Sequence, residues 1–141
     1  MYKIKHPSLE ETINLLKKNK LPYSDIKEDN LKNFFGYFDN DSLEAIVGLE
    51  IYDDVALLRS LAVGDKKSSG VGSKLLKFIN DFALKNGINS LYLLTTTAST
   101  YFIKKGFNIV NKDEAPSCIK NTVEFSSICP ASSVFMKKSL T

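Results

Sequence analysis

Apolar and aromatic side chains concentrate in three closely spaced stretches of the chain, residues 34–38, 43–52 and 55–63. Short breaks rich in Asp and Asn separate these stretches, and breaks of this composition commonly join antiparallel strands. The pattern therefore predicts a three-stranded antiparallel meander.

An amphipathic helix follows the meander. From residue 71 to residue 85 the apolar positions recur at helical spacing, and Asn86-Gly87 supplies a stop signal. A further strand is predicted at residues 90–94. A strand, a crossover helix and a second strand imply parallel pairing, so residues 55–63 and 90–94 are expected to be parallel neighbours. Ligands of such units lie at the C-terminal ends of the strands.

The beginning of the chain carries a signal for a helix start. Ser8 is expected to accept a hydrogen bond from the backbone of Glu11, whose side chain reaches back to residue 8. A shorter helix is predicted at residues 25–32, and the start of the chain, near His6, is expected to be prone to disorder. The buried stripe of the first helix is predicted to consist of Leu9, Ile13 and Leu16.

The last third of the chain predicts four short elements. A helix is expected at residues 99–105, followed by a strand at 107–110. A second helix, capped by Asp113, is expected to extend through Thr122 or Glu124. The final strand is predicted at residues 133–138.

Glu50 and Arg59 form the first candidate chemical pair. With a two-residue turn after the second strand, Glu50 faces Leu57 and Arg59 faces Gly48. Side chains alternate along strands, so Glu50 and Arg59 share one face as diagonal neighbours, about 7–8 Å apart. Two interpretations stay open: a structural ion pair, or residues that line a pocket.

Composition limits the class of protein. The chain has 141 residues, of which 43% are hydrophobic and 25% charged, with a net charge of +3. This length and composition predict a single soluble domain over residues 1–141. The lysines are scattered, so nucleic acid is not an expected partner. No signal peptide or membrane span is predicted, which favours a cytoplasmic location.

The cysteines and the histidine predict no metal site. Cys118 and Cys129 have no Cys-x-x-Cys spacing, and His6 is the only histidine. Both cysteines are expected to be reduced thiols. No histidine is available as a base for Cys129, so covalent catalysis is not expected.

A Ser/Gly loop precedes the central helix and predicts an anion site. Glycines let the backbone approach a ligand closely, and a helix N-terminus favours negative charge. The loop is not a P-loop, because Val71 follows Gly70 where that motif requires lysine. It is not a dinucleotide fingerprint either, because Leu75 stands at the third glycine position.

The residues of this loop resemble the acetyl-CoA motif of the GNAT superfamily of N-acetyltransferases, which is Arg/Gln-x-x-Gly-x-Gly/Ala after a strand ending in Leu-x-Val. Here the strand end is Leu61-Ala62-Val63, and the motif is Lys67-Ser68-Ser69-Gly70-Val71-Gly72, with Lys67 in place of Arg or Gln. The resemblance implies acetyl-CoA as co-substrate, with its pyrophosphate on the loop and its pantetheine on the strand N–H groups of Leu61 and Val63. The cofactor-binding residues it implies are Leu61, Ala62, Val63, Lys67, Ser68, Ser69, Gly70, Val71, Gly72, Ser73, Thr95 and Phe102.

The resemblance also implies the fold. It predicts an α/β GNAT fold with a mixed, mainly antiparallel sheet, helices on both faces and a central splayed parallel strand pair. Segments over roughly residues 34–138, among them Gly106-Phe107 and residues 129–132, are similar to acetyltransferases encoded in arsenic-resistance operons.

A second family pattern covers the short helix after residue 95. It reads Asn-x-x-Ala-x-x-Phe-Tyr-x-Lys-x-Gly-Phe, and here Thr95 replaces the Asn while Phe102 replaces the Tyr often assigned as general acid. Tyr101 is adjacent, but neighbouring residues of a helix point about 100° apart. Tyr101 is therefore expected to face away from the site.

The implied reaction is direct transfer of acetyl to the primary amine of a small molecule, such as an amino acid or an acidic analogue. Glu50 and Arg59 are the candidate catalytic residues, and Arg59, Glu124 and Cys129 are the candidate acceptor-binding residues. Two alternatives stay open: a CoA-binding module with little or no turnover, and a protein N-acetyltransferase. A homodimer is a possible assembly.

Overall fold

A computed structural model describes residues 2–64, 70–123, 125–126 and 132–140. The described strands are β1 (Tyr2–Lys5), β2 (Phe34–Asp39), β3 (Ser42–Tyr52), β4 (Val55–Val63), β5 (Ser90–Thr95), β6 (Asn108–Ile109) and β7 (Val134–Ser139). The described α-helices are α1 (Leu9–Lys18), α2 (Val71–Lys85), α3 (Ser99–Lys104) and α4 (Ser117–Lys120), and 3₁₀ helices occur at Glu28–Asn33 and Lys112–Glu114.

The seven strands form one mixed sheet in the order β1-β2-β3-β4-β5-β7-β6. β4 and β5 are parallel, and the remaining neighbours are antiparallel. This is the mixed, mainly antiparallel sheet with a central parallel pair that the sequence predicts. The crossover from β4 through α2 to β5 produces the parallel pair.

Helices cover both faces of the sheet. The apolar stripe of α2, including Leu75 and Ile79, packs against one face together with Leu58. On the opposite face α1 packs through Leu16, and Ile119 of α4 packs near Leu57. This second face therefore carries two separate apolar clusters, one under α1 and one under α4.

Local signals give the element bounds well where they are strong. The predicted helix 71–85 and the predicted strand 55–63 match α2 and β4 at both ends. The capping box of α1 is also confirmed, because Glu11 N donates to Ser8 Oγ at 3.1 Å and Ser8 N donates to Glu11 Oε1 at 3.0 Å.

The beginning of the chain departs from the prediction. Residues 2–5 form β1 at an edge of the sheet, antiparallel to β2. His6 is part of this arrangement, because its Nδ1 lies 2.8 Å from the carbonyl oxygen of Phe34 and its ring contacts Phe35. The expected disorder is therefore wrong, since pairing with a distant strand orders a segment that has no strong pattern of its own.

Three helix predictions also need correction. The buried residues of α1 are Thr12, Leu15 and Leu16, while Leu9 and Ile13 are half-buried. Thr12 is tolerated inside because its hydroxyl donates to the carbonyl of Ser8 at 2.7 Å. Leu16 is therefore buried as predicted and Leu9 packs partly against the same cluster, but the fully buried positions beside Leu16 are Thr12 and Leu15.

The predicted helix at residues 25–32 is a 3₁₀ helix that begins at Glu28. The predicted helix from Asp113 is interrupted, because Pro116 disfavours helical backbone in the residue before it. A 3₁₀ turn capped by Asn111 precedes Pro116, and α4 follows it.

Candidate active site

β4 and β5 run side by side only in their first halves. Their parallel pairing begins with Val55 opposite Ser90 and ends with Leu57 opposite Tyr92, and among the described residues no later pair joins them. The strands separate beyond this point and border a cleft of about 980 Å³. The predicted splay of the central pair is thus present.

A β-bulge distorts β4 beside the cleft. Glu50 pairs with Leu57 and Gly48 pairs with Arg59, as the sequence predicts, but Ile46 pairs with Ala62. β4 therefore contains one residue more than β3 beyond Arg59. The extra length is accommodated at residue 60, where φ is +61°, a conformation that residues other than glycine adopt rarely. Bulges and strained backbone of this kind concentrate near functional sites.

The N-terminus of α2 opens into the same cleft. Gly70 is the N-cap residue of the helix with φ +76°, and as a glycine it provides no side-chain cap. A Cβ added to Gly72 would lie 3.3 Å from the Tyr101 hydroxyl and 3.4 Å from Val63 Cγ2. Glycine at residue 72 therefore keeps this passage open, and the backbone N–H groups at a helix N-terminus suit an anion.

Tyr101 and Phe102 both line the cleft. Phe102 is also buried in the core against Phe107, whereas the Tyr101 hydroxyl lies beside Gly72. The expectation that Tyr101 faces away is therefore wrong. The helix has only six residues and lies at the rim of a wide cleft, so the adjacent side chains of Tyr101 and Phe102 both border the cleft.

Thr95 lies at the C-terminal end of β5 and lines the cleft. Its Oγ1 accepts a hydrogen bond of 3.0 Å from Ala98 N. This bond fixes the turn that leads into α3, so the hydroxyl already has a structural role in addition to its position in the cleft.

Arg59 joins three segments of the chain and is only 5% exposed. Its guanidinium binds Asp25 through two hydrogen bonds, Nη1 to Oδ2 at 2.5 Å and Nη2 to Oδ1 at 2.8 Å. Nη1 also donates to Glu50 Oε2 at 2.9 Å, and Nε donates to Ser60 Oγ at 3.1 Å. We call Asp25, Glu50, Arg59 and Ser60 the Arg59 cluster.

Electrostatics keep the carboxylates of this cluster in place. Burial alone would raise the pKa of Asp25. The hydrogen bonds from Arg59 and the positive charge of Arg59 lower it by a larger amount, so the pKa of Asp25 lies below its usual value of 3.8. Burial, together with the hydrogen bond to Glu50 and its charge, raises the pKa of Tyr52. Tyr52 therefore stays protonated and donates to Glu50 Oε1 at 2.6 Å, so both oxygens of Glu50 accept a hydrogen bond.

The structure brings most of the described candidate residues together. Those that line the cleft are Arg59, Leu61, Val63, Gly70, Gly72, Ser73, Thr95 and Phe102. Ala62 and Val71 are buried in the apolar clusters beside it, and Glu50 stands behind Arg59 rather than in the lining. The candidates outside the described residues are Lys67, Ser68, Ser69, Glu124 and Cys129.

Sequence reasoning missed one wall of the cleft. The C-terminal end of α1 and the loop after it contribute Lys17, Asn19, Lys20, Leu21, Pro22 and Tyr23. It also missed Asp25, which lies 34 positions before Arg59 in the chain. No periodicity or motif connects residues so far apart, although Pro22 is a local signal for the end of α1 and the start of a loop.

The described segments contain neither a membrane-spanning helix nor a cluster of metal-binding side chains. None of their helices is long and apolar enough to cross a membrane. Within the same segments no group of three or more His, Cys, Asp or Glu side chains is placed to hold a metal ion.

The architecture occurs in solved acetyltransferases. Part of N-acetylglutamate synthase from Neisseria gonorrhoeae, a protein solved in complex with coenzyme A and N-acetyl-glutamate, superposes with a TM-score of 0.85 at 21% identity. That match covers 100% of this chain and 35% of the other, so this chain spans about a third of that protein. A GNAT acetyltransferase from Staphylococcus aureus Mu50 matches with a TM-score of 0.75 at 19% identity over 100% of both chains.

A third match is the PaiA N-acetyltransferase from Thermoplasma acidophilum in complex with coenzyme A. Its TM-score is 0.68 at 16% identity, over 99% of each chain. These similarities define the fold as that of the GNAT acetyltransferases, a class of acyltransferases that use acetyl-CoA. The model of the acetyltransferase (GNAT) domain family matches residues 2–122, and the chain belongs to this family. A search of curated proteins found no match.

The cleft fits the co-substrate of that family. The N-terminus of α2 suits a pyrophosphate through its backbone N–H groups, and Gly72 leaves a passage that a side chain would narrow. The separated ends of β4 and β5 leave room beside a strand for an extended arm with amide groups.

Proposed function

We propose that this protein transfers the acetyl group of acetyl-CoA directly to the primary amine of a small molecule. The observation that carries the proposal is the cleft between the separated ends of β4 and β5. The N-terminus of α2 enters this cleft, and the bulge of β4 lies beside it. A thioester bound along β4 would then reach the bulge while its phosphates remain at α2.

In the proposed reaction the neutral amine nitrogen attacks the thioester carbonyl carbon. A C–N bond forms, the C–S bond breaks, and the electron pair of that bond leaves with the sulfur as CoA thiolate. The nitrogen gives up one proton. Because a thiol has a pKa near 8.5, its thiolate is an acceptable leaving group at neutral pH.

The chain contributes mainly alignment and polarisation to this reaction. Backbone N–H groups of the bulged part of β4 are proposed to polarise the carbonyl oxygen, and the cleft aligns the amine. Among the described lining residues there is no Asp, Glu or His. We therefore assign the amine proton to water, and we propose that Glu50 acts by orienting Arg59.

We further propose that the acceptor carries an acidic group. The described lining contains Lys17 and Lys20 in addition to Arg59 and no carboxylate. Arg59 itself is bound to Asp25 and Glu50, so the lysines are the better candidates for a substrate carboxylate. N-acetylglutamate synthase, of which one region is similar to this chain, was solved in complex with N-acetyl-glutamate, which agrees with such an acceptor.

Acetyl-dependent thiol release from acetyl-CoA tests the proposal. The panel comprises L-amino acids, their acidic analogues, simple primary amines and a lysine-containing peptide, and the reaction without amine is the control. Acidic amino acids should give the highest kcat/KM. Tight CoA binding without turnover of any amine would favour a binding module, and turnover of the peptide alone would favour a protein N-acetyltransferase.

Further features that the sequence suggests remain proposals. The predicted cofactor loop residues Lys67, Ser68 and Ser69, and the predicted acceptor residues Glu124 and Cys129, are proposed to complete the site. The cytoplasmic location, the single domain, the homodimer and the similarity to arsenic-operon acetyltransferases rest on the sequence alone.

A further inference from the structure

The missed wall of the cleft is an irregular segment after α1, and two of its side chains, Leu21 and Tyr23, pack against the apolar cluster under α1. We call residues 19–25 the loop wall. Its first part continues α1, where Leu21 N donates to Leu16 O at 2.9 Å. Its last part precedes the buried Ile26. Between these anchors the loop wall presents residues 19–23 to the cleft.

Asp25 ties the end of the loop wall to β4. Both of its carboxylate oxygens accept hydrogen bonds from Arg59, a planar two-point contact that fixes orientation as well as distance. Side-chain exposure is only 3% for Arg59 and 15% for Asp25. Solvent therefore screens this pair much less than it screens a surface pair.

Arg59 is itself held from two other directions. Glu50 on β3 binds Nη1, and Ser60 at the bulge accepts from Nε. The same guanidinium therefore joins the loop wall to the strained residue of β4. A displacement of the loop wall would therefore move the Arg59 guanidinium, which lies beside the bulge.

The Arg59 cluster lies on the sheet face that carries α1, whereas α2 packs against the opposite face. The N-terminus of α2 is the part of the cleft suited to phosphates. A change at Asp25 should therefore disturb the acceptor side of the cleft and leave the cofactor side intact.

We propose that Asp25 and Arg59 are positioning residues, and that their ion pair holds the loop wall against the bulge of β4 and thereby sets the geometry of acceptor binding. The inference rests on the proposed acetyl transfer for its effect on catalysis. The positioning of the loop wall itself is measurable without any acceptor.

Hydrogen exchange of the protein tests the positioning. Asp25→Asn keeps the shape of the side chain and removes its charge, and Asp29→Asn is the matched control because Asp29 is exposed and does not line the cleft. In Asp25→Asn, amide exchange in residues 19–27 should accelerate by about tenfold or more, with α2 unchanged. Equal exchange in both variants would overturn the inference.

Kinetics test the link to the acceptor. With the best amine of the panel, Asp25→Asn should raise the acceptor KM by about fivefold or more, while the Kd of CoA stays within about twofold. Asp29→Asn should match the wild type in both. An unchanged acceptor KM, or a Kd of CoA that rises in parallel with it, would contradict the assigned role.

A second variant guards against loss of folding. Asp25→Glu keeps the charge but adds one methylene group, so it should fold, bind CoA normally and still raise the acceptor KM by displacing the loop wall. A KM equal to that of the wild type would refute the inference. If the wild type acetylates no amine, the proposed function fails, and hydrogen exchange still decides whether the pair positions the loop wall.

Discussion

Adjacent residues of α3 have different surroundings, and this decides which of them can contact a ligand. Phe102 is 7% exposed and belongs to the core. Tyr101 is half-buried and lines the cleft, and its hydroxyl lies beside Gly72. A position next to Gly72 and Val63 is at the phosphate end of the proposed cofactor site.

We therefore expect Tyr101→Phe to lower kcat by less than about tenfold, below the usual range for loss of a general acid. The effect should instead appear as a higher KM for acetyl-CoA. Tyr2→Phe is the control, because Tyr2 is exposed and lies outside the cleft. A hundredfold fall in kcat with unchanged KM and folding would identify Tyr101 as the acid.

Gly72 is the residue whose replacement should most directly block the cofactor. Its Cβ would approach the Tyr101 hydroxyl to 3.3 Å, and the rest of a Glu side chain would bring negative charge to the α2 N-terminus. Calorimetry should show no CoA binding to a folded Gly72→Glu protein. Leu84→Glu adds the same charge at an exposed position of α2 and should bind CoA normally. Unchanged affinity in Gly72→Glu would refute the site assignment.

At the scale of elements, α1 matters because its C-terminal end supplies Lys17 to the cleft. The capping box satisfies backbone N–H groups at its first turn. The helix has only ten residues, a length at which capping contributes a large share of local stability.

Ser8→Ala should lower the free energy of unfolding by about 1 kcal/mol, measured by urea denaturation. Ser24→Ala is the control, because Ser24 is exposed and caps no helix. Equal stabilities of the two variants would show that the capping box contributes nothing measurable.

The elements that could be predicted are those with a strong local pattern of apolar residues and clear stop residues. β4 and α2 have long apolar patterns with clear stops, so their bounds follow from the sequence. β1 has four residues and is ordered by its pairing with β2. The helix expected after Asp113 ignored Pro116, a local signal that was present in the chain.

At the scale of the whole molecule, the Arg59 cluster separates the two apolar clusters of one sheet face. Leu16 and Ile46 belong to the cluster under α1, and Leu57 and Ile119 to the cluster under α4. Buried charges between apolar groups require partners, and removing one partner leaves the other uncompensated.

Asp25 should therefore make stability depend on pH. Its pKa is lower in the folded protein than in the unfolded chain, so its contribution is present above about pH 4 and is lost as pH falls through the folded-state pKa. Asp25→Asn should cost about 1–3 kcal/mol at pH 7. The difference from the wild type should shrink at pH 3 in urea denaturation. An equal difference at both values would contradict the ionic role.

The sequence by itself determined the family fold and the shared face of Glu50 and Arg59, and it predicts an anion site at the α2 N-terminus. Each of these depends on residues close in the chain or joined by one short turn, where spacing translates directly into geometry. Only the tertiary structure decided the bulge at Ser60, the approach of Tyr101 to Gly72, the loop wall and the pairing of Asp25 with Arg59. Those contacts join segments that are distant in sequence or depend on a register shift, and the periodicity of side chains along the chain predicts neither.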